Sequence, residues 1–435
     1  MSITVEQPIM NNRWTTFDFI ALWIGACFCI PSFLLVGLLK SSGFSNLNVM
    51  LIVLIGCMLI GFLCAILGKK GFNHNMGFTD IVSSIFNKSF AKLIITIRGI
   101  VCAGWFGINI IILSQTVLGV IKGYISLNIF CDILIMTFTF LVFSLLNIFL
   151  AVNLNIIKRF EIISSILFLV IILYIVFGSP CANAVISRPI SRSSWILSID
   201  SVLLIFYYWS GLVSNITDYT RNSVNSKHSF WGNLLGIIIG MMLVCGLALL
   251  SLNKSEAVFG IPILNPVDFF IKSHNNITAE LIAILILFIF MTTTNIAANC
   301  YPAINCFKYS FSFSFWKSGF LLVVLSAMFC PWYIISEFSV YAYKWINLYS
   351  LLIIPLIGMM ITIDVSASTD NVFIKRNIYL YIFCCILGLI LYFILPSLSN
   401  FIGIFILIMS FGLSVLNISV PSKTIIGKYI NRTGR

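Results

Sequence analysis

Charge is what this sequence has least of. Only 9% of its 435 residues are Asp, Glu, Lys or Arg, while 60% are hydrophobic; an ordinary soluble domain is about 25% charged. No soluble fold can bury that much apolar surface. Histidine is almost absent: His74, His228 and His274 stand apart in loops, which excludes a zinc-type ligand cluster. The thirteen cysteines contain no CxxC pair. Most, including Cys57, Cys64, Cys102 and Cys245, sit inside apolar runs and read as small buried hydrophobes. Only Cys131 and Cys181 lie at or near predicted external loops, and nothing argues for a bond between them. A GxxxxGK[ST] phosphate loop is missing, which speaks against ATP-driven work by this chain alone. The N-terminus shows no basic stretch running into a short apolar segment, so no signal peptide is expected. Buried catalytic dyads and a soluble signalling extension are also missing, so neither a membrane enzyme nor a transporter-derived sensor is favoured.

What is present is lipid-soluble chain. Apolar windows of about 20 residues, each enough to cross a 30 Å hydrocarbon core as a helix, recur near 17–39, 47–68, 93–120, 132–153, 160–178, 199–217, 231–252, 279–299, 318–336, 340–363, 378–395 and 401–420. The net charge of +12 is spread through the short connections between these runs instead of forming a stripe, so the partner it implies is the bilayer and not nucleic acid. Twelve spans with internal termini put seventeen Lys and Arg inside, Lys69, Lys70, Lys158 and Arg159 among them, and seven outside, with Arg98 left over within the third span. That bias places both termini in the cytoplasm and the protein in the inner or plasma membrane. Residues 74–91 and 256–274 are too polar or too proline-broken to cross. They are expected at the inner and outer faces respectively.

The polar residues inside spans carry the functional signal. Asp18, Glu161, Asp200, Asp218, Glu280 and Asp364 all fall at span ends, so no midplane proton relay is visible. The first span, ALWIGACFCIPSFLLVG, is interrupted by Gly25 and Pro31, and the sixth, IFYYWSGLVSNITDYTR, by Ser210, Gly211 and Asn215. Kinks of this kind are common packing features of membrane helices. Two of them five helices apart are also what inverted five-helix repeats with a midplane site would show. In the third span, GWFGIN, Trp105 and Asn109 share a helical face: an indole plane and an amide suit a flat heterocycle. The eighth span ends FMTTTNIAANCYP, crowding Thr293, Thr294, Asn295 and Asn299 together. Interhelical glue, worth about 0.6 kcal/mol per contact, would need fewer polar groups.

Four stretches, RWTTFDFIALWIG with the following Pro31, GWFGIN, W…SNITDYTR and TTNIAAN, resemble the nucleobase:cation symporter-1 permeases, and PLIGMMITID extends the match to most of the chain. The eighth-span wording is more similar to the hydantoin, allantoin and uracil members than to the cytosine permeases. The resemblance implies an all-α, LeuT-like fold of about twelve helices: repeats over 17–178 and 199–363, then two peripheral helices over 378–420. It implies that Trp105 and Trp209 sandwich the substrate ring, that Asn109 and Asn299 bind its edge, and that Cys29 adjoins them. It also implies a Na⁺ site built from Gly25, Phe28, Phe290, Thr293 and Thr294. Two departures stand out. Asn109 replaces a frequent Gln, and the usual basic residue between the second and third spans is missing from MGFTDIVSSIFN.

The expected function is secondary symport of a nucleobase, hydantoin, allantoin or related heterocycle with Na⁺, by alternating access, without a bound cofactor, enzymatic activity or an obligate protein partner. A proton-coupled nucleobase permease and an amino-acid permease of the same fold are the alternatives.

Overall fold

The computed structural model describes residues 13–178, 195–263, 266–274, 276–329, 338–362, 371–395 and 398–419. Cys181, Asp364 and most of the 179–198 loop lie outside them.

The described chain is almost wholly helical. In order come α1 (Thr16–Cys27), α2 (Ile30–Ser41), α3 (Asn46–His74), α4 (Phe78–Ile85), α5 (Lys88–Tyr124), α6 (Ile129–Leu150), α7 (Leu154–Gly178), α8 (Trp195–Asn215), α9 (Thr217–Thr220) and α10 (Ser226–Phe259). Then follow α11 (Pro266–His274), α12 (Ile277–Thr294), a π-helical turn (Asn295–Cys300), α13 (Tyr301–Phe311), α14 (Phe315–Phe329), α15 (Phe338–Thr362), α16 (Asn371–Ile394) and α17 (Ser399–Ser419). Over the described residues, each apolar window read from the sequence overlaps one of these helices or a joined pair. Among the described residues eight helices are long and apolar enough to cross a membrane, and a ninth if α1 and α2 count as one span.

The polarity is inverted relative to a soluble protein. Large apolar side chains such as Phe138, Phe320 and Phe393 point outward, whereas Asn109, Asn147, Asn215, Asn233 and Asn295 are buried. Lipid solvates the outside, so the exposed surface has no reason to be polar, and amides pair inside because hydrocarbon offers them nothing.

Two local breaks position the site. α1 and α2 meet at 66°. Pro31, the second residue of α2, has no N–H to give to Cys27, and the amide of Cys29 donates to Cys27 O at 2.9 Å instead of continuing the helix. The carbonyls of Gly25 and Ala26 are thereby left for other donors. On the other side, Pro302 near the start of α13 removes the donor that Ala298 O would use, and the preceding turn widens into π geometry, the amide of Tyr301 reaching Ile296 O. Ala297 O, displaced from the helical ladder, accepts the Tyr219 hydroxyl at 2.7 Å.

The segment expected to lie across one face, 74–91, folds around α4. This helix buries Phe78, Ile81, Val82 and Ile85. Its start is capped from afar: Asp218 accepts the Phe78 amide at 2.8 Å, and a side chain at Gly77 would meet the same carboxylate at 2.6 Å. Thus the SNITD stretch after α8 serves partly to anchor α4.

Candidate functional site

α5, the end of α8, the start of α2 and the π-helical turn enclose a cavity of about 30 Å³. It is lined by Pro31, Arg98, Trp105, Asn109, Tyr208, Trp209, Thr294 and Asn299, with Gly211, Leu212 and Ala298. Four of the five residues expected to bind substrate are therefore brought together. The fifth, Cys29, is not among the lining residues: it sits behind Tyr208, its Sγ 3.5 Å from the Tyr208 hydroxyl and 3.3 Å from Ser32 Oγ. The cavity has room for about one or two waters, less than a heterocycle needs.

The aromatic lining is larger than two indoles. Tyr208 stands edge-on to both, 5.5 Å from Trp105 at 89° and 4.9 Å from Trp209 at 80°. Trp23 braces Trp209 from behind at 5.5 Å, and its own N–H is tied to Asn233 Oδ1 at 2.9 Å. The sequence signal for Tyr208 was its place in FYYWSG. What hid its role was the orientation of α8.

Asn295 organises the polar edge. Its Oδ1 accepts from Asn109 Nδ2 at 3.0 Å and from Asn299 Nδ2 at 2.9 Å, while its own Nδ2 reaches Phe106 O at 3.4 Å. Asn109 Oδ1 and the Trp209 N–H are buried with no hydrogen-bond partner in the protein. An acceptor and a donor thus remain for a ligand edge bearing N–H and C=O.

Arg98, the basic residue that the charge count left unplaced, is 1% exposed. It clamps the end of α8: Nε donates to Asn215 Oδ1 at 2.6 Å and to Ser214 Oγ at 3.0 Å, and Nη2 to Gly211 O at 2.7 Å.

Beside this cavity lies a cluster of oxygens. Thr293 Oγ1 donates to Gly25 O at 2.9 Å and Phe290 O at 3.0 Å; Thr294 Oγ1 reaches Ala26 O at 2.9 Å, Phe290 O at 3.3 Å and Gly25 O at 3.4 Å. Carbonyls freed by a helix break and hydroxyls are the donor set a hard monovalent cation takes. Of the five residues expected at a Na⁺ site, Gly25, Phe290, Thr293 and Thr294 converge here. The Phe28 carbonyl accepts from neither hydroxyl, and Ala26 O stands in the set instead. The Phe28 ring stacks on Phe168 at 4.8 Å and meets Phe290 at 5.5 Å, sealing the cluster with apolar surface. Thr294 belongs to both the oxygen cluster and the cavity lining.

One member of this neighbourhood was read differently from the sequence. Glu161, seen there as a span-end residue, is fully buried on α7, and neither carboxylate oxygen has a hydrogen-bond partner. An ionised carboxylate held that way costs several kcal/mol. Position along its own helix did not reveal which neighbour that helix would press it against.

Among the described residues no group of His, Cys, Asp and Glu could hold a transition metal. A helical membrane protein with a broken first helix, an aromatic cavity and an oxygen cluster beside it has the architecture of a permease. The family model described as permeases for cytosine/purines, uracil, thiamine and allantoin matches residues 4–365, and the chain belongs to that family. It is 24% identical over 375 residues to a purine-uracil permease of Arabidopsis thaliana, covering 81% of this chain but only 61% of that protein's length. It is 24% identical to the allantoin permease of Bacillus subtilis, over 85% of this chain and 80% of that one. Its fold is that of Mhp1, a nucleobase-cation-symport-1 transporter: TM-score 0.74 to the closed form with bromovinylhydantoin bound, at 16% identity over 96% of this chain and 95% of Mhp1. The inward-facing form gives 0.68. The LeuT-like all-α class expected from the sequence stands, and the relatives are permeases and not enzymes.

Proposed function

We propose that this protein is a Na⁺-coupled symporter of a small planar or near-planar heterocycle carrying adjacent N–H and C=O groups, the chemistry shared by uracil, allantoin and hydantoins. The observation that carries the reading is the sharing of Thr294 between the cavity and the oxygen cluster. A cation drawing the Thr293 and Thr294 hydroxyls toward itself would fix the wall on which substrate rests, and the linkage is necessarily reciprocal. In the cavity, Trp105, Tyr208 and Trp209 offer ring faces and edges, Asn109 Oδ1 an acceptor, and Asn299 a second carboxamide. Both termini are assigned to the cytoplasm on the distribution of Lys and Arg.

Uptake of radiolabelled uracil, cytosine, adenine, allantoin and benzylhydantoin into proteoliposomes, each with and without a Na⁺ gradient, tests the reading. Concentrative uptake of at least one of them that requires Na⁺ is the expected result. Equal uptake driven by a proton gradient in Na⁺-free buffer would replace Na⁺ by H⁺, and transport of amino acids alone would remove the heterocycle.

A further inference from the structure

α1 and α7 run side by side from the same end, and their register is set by an ion pair: Lys158 Nζ lies 2.8 Å from Asp18. One turn beyond Lys158, Glu161 meets Gly25. The fit leaves no room for a side chain at Gly25, since a Cβ there would overlap Glu161 Oε2 and approach Thr293 Cβ at 3.3 Å. The carboxylate and the Thr293 side chain therefore occupy the same niche on α1, at the residue whose carbonyl anchors the oxygen cluster. Phe168, seven residues on and so on the same face of α7, closes that niche by stacking on Phe28 and meeting Phe290 edge-on at 4.7 Å. Lys158 is committed to Asp18, and Glu161 Oε1 and Oε2 are both buried and unpartnered.

We propose that Glu161 supplies the anionic ligand of the cation site formed by Gly25 O, Ala26 O, Thr293 Oγ1 and Thr294 Oγ1. The proposal deepens the Na⁺ reading above and rests on it. Carbonyls and hydroxyls alone would leave a bound Na⁺ with its full charge in a site sealed by three phenyl rings. A carboxylate neutralises it. Oxygen-only ligation including one carboxylate favours a hard cation over softer metals.

The test uses the purified full chain in nanodiscs, with ²²Na⁺ binding and Na⁺-dependent thermal stabilisation as readouts that need no transport. Glu161→Gln, which keeps shape and removes charge, should raise the half-saturating Na⁺ concentration about tenfold or more, the effect of losing one charge-assisted contact. Glu161→Asp should fall between parent and Gln. In Na⁺-free buffer the Gln variant should melt no lower than the parent, because the amide fills the same niche and has no charge to desolvate. A Gln variant that binds ²²Na⁺ like the parent overturns the role of Glu161 while leaving Na⁺ coupling intact. So does one that melts well below the parent without Na⁺. A parent that neither binds nor responds to Na⁺ overturns the coupling reading itself, and Glu161 as its ligand with it.

Discussion

Asn109, in the cavity wall, is joined to Asn295 behind it by a 3.0 Å hydrogen bond from Nδ2 to Oδ1, and the same oxygen takes the amide of Asn299. Asn295 thereby fixes which way both carboxamides point, and leaves Asn109 Oδ1 free for a ligand. Replacing Asn295 with Ala should release both, each lost hydrogen bond being worth about 0.5–1.5 kcal/mol. Substrate Kd should rise roughly tenfold, while Asn295→Asp, which keeps the acceptor, should lose less. Equilibrium binding to the two purified variants decides between them.

Stacking is tested at the indoles. Losing a base–aromatic stack costs about 1–3 kcal/mol, so Trp105→Ala and Trp209→Ala should each weaken binding by roughly ten- to a hundredfold. Asn109→Gln should instead shift preference among heterocycles, because donor and acceptor survive but reach one methylene further. Competition of labelled substrate by the same heterocycle panel reads both effects. Unchanged affinities in all three variants would place the substrate elsewhere.

The contact of Gly25 with Glu161 makes a prediction about packing alone. Gly25→Ala should destabilise the protein by about 1–3 kcal/mol through overpacking, and Glu161→Ala in the same chain should relieve most of it. A double-mutant cycle on melting temperature, run without Na⁺, measures the coupling. Additive effects would mean that the two residues do not touch.

Arg98 is expected to hold α5 to the end of α8. Arg98→Gln removes the guanidinium's hydrogen bonds to Gly211 O, Asn215 Oδ1 and Ser214 Oγ and leaves the Ser214 hydroxyl as the side-chain donor to the first two, a loss of about 1–3 kcal/mol in all. Thermal unfolding should report the loss, and Arg98→Lys should restore little of it, because an ammonium cannot reproduce the planar fork.

Orientation is open to cysteine labelling. Ser223, in the connection between α9 and α10, is buried, with its hydroxyl on Trp14 O at 3.3 Å and Asn225 O at 2.8 Å, so a thiol there would be masked. Lys227 is exposed. In a thiol-free background, Lys227→Cys should react with an impermeant maleimide only after the membrane is opened. Reaction in intact cells would invert the topology.

The sequence by itself determined the solvent, the helices and part of the site. Apolar run length fixed the helices, because a backbone in lipid must satisfy its own hydrogen bonds. The spacing of Trp105 and Asn109 put them on one face whatever α5 packed against, and Pro31 dictated a break in the first span. What the tertiary structure decided was everything that depends on the register between helices. Tyr208 enters the cavity because of how α8 is rotated, and Ala26 O joins the cluster because the break turns it toward Thr294. Glu161 looked peripheral because its depth was judged along α7 alone. Only the packing of α7 on α1, held by Lys158 and Asp18, presses its carboxylate against Gly25, and no local pattern in either segment encodes that alignment.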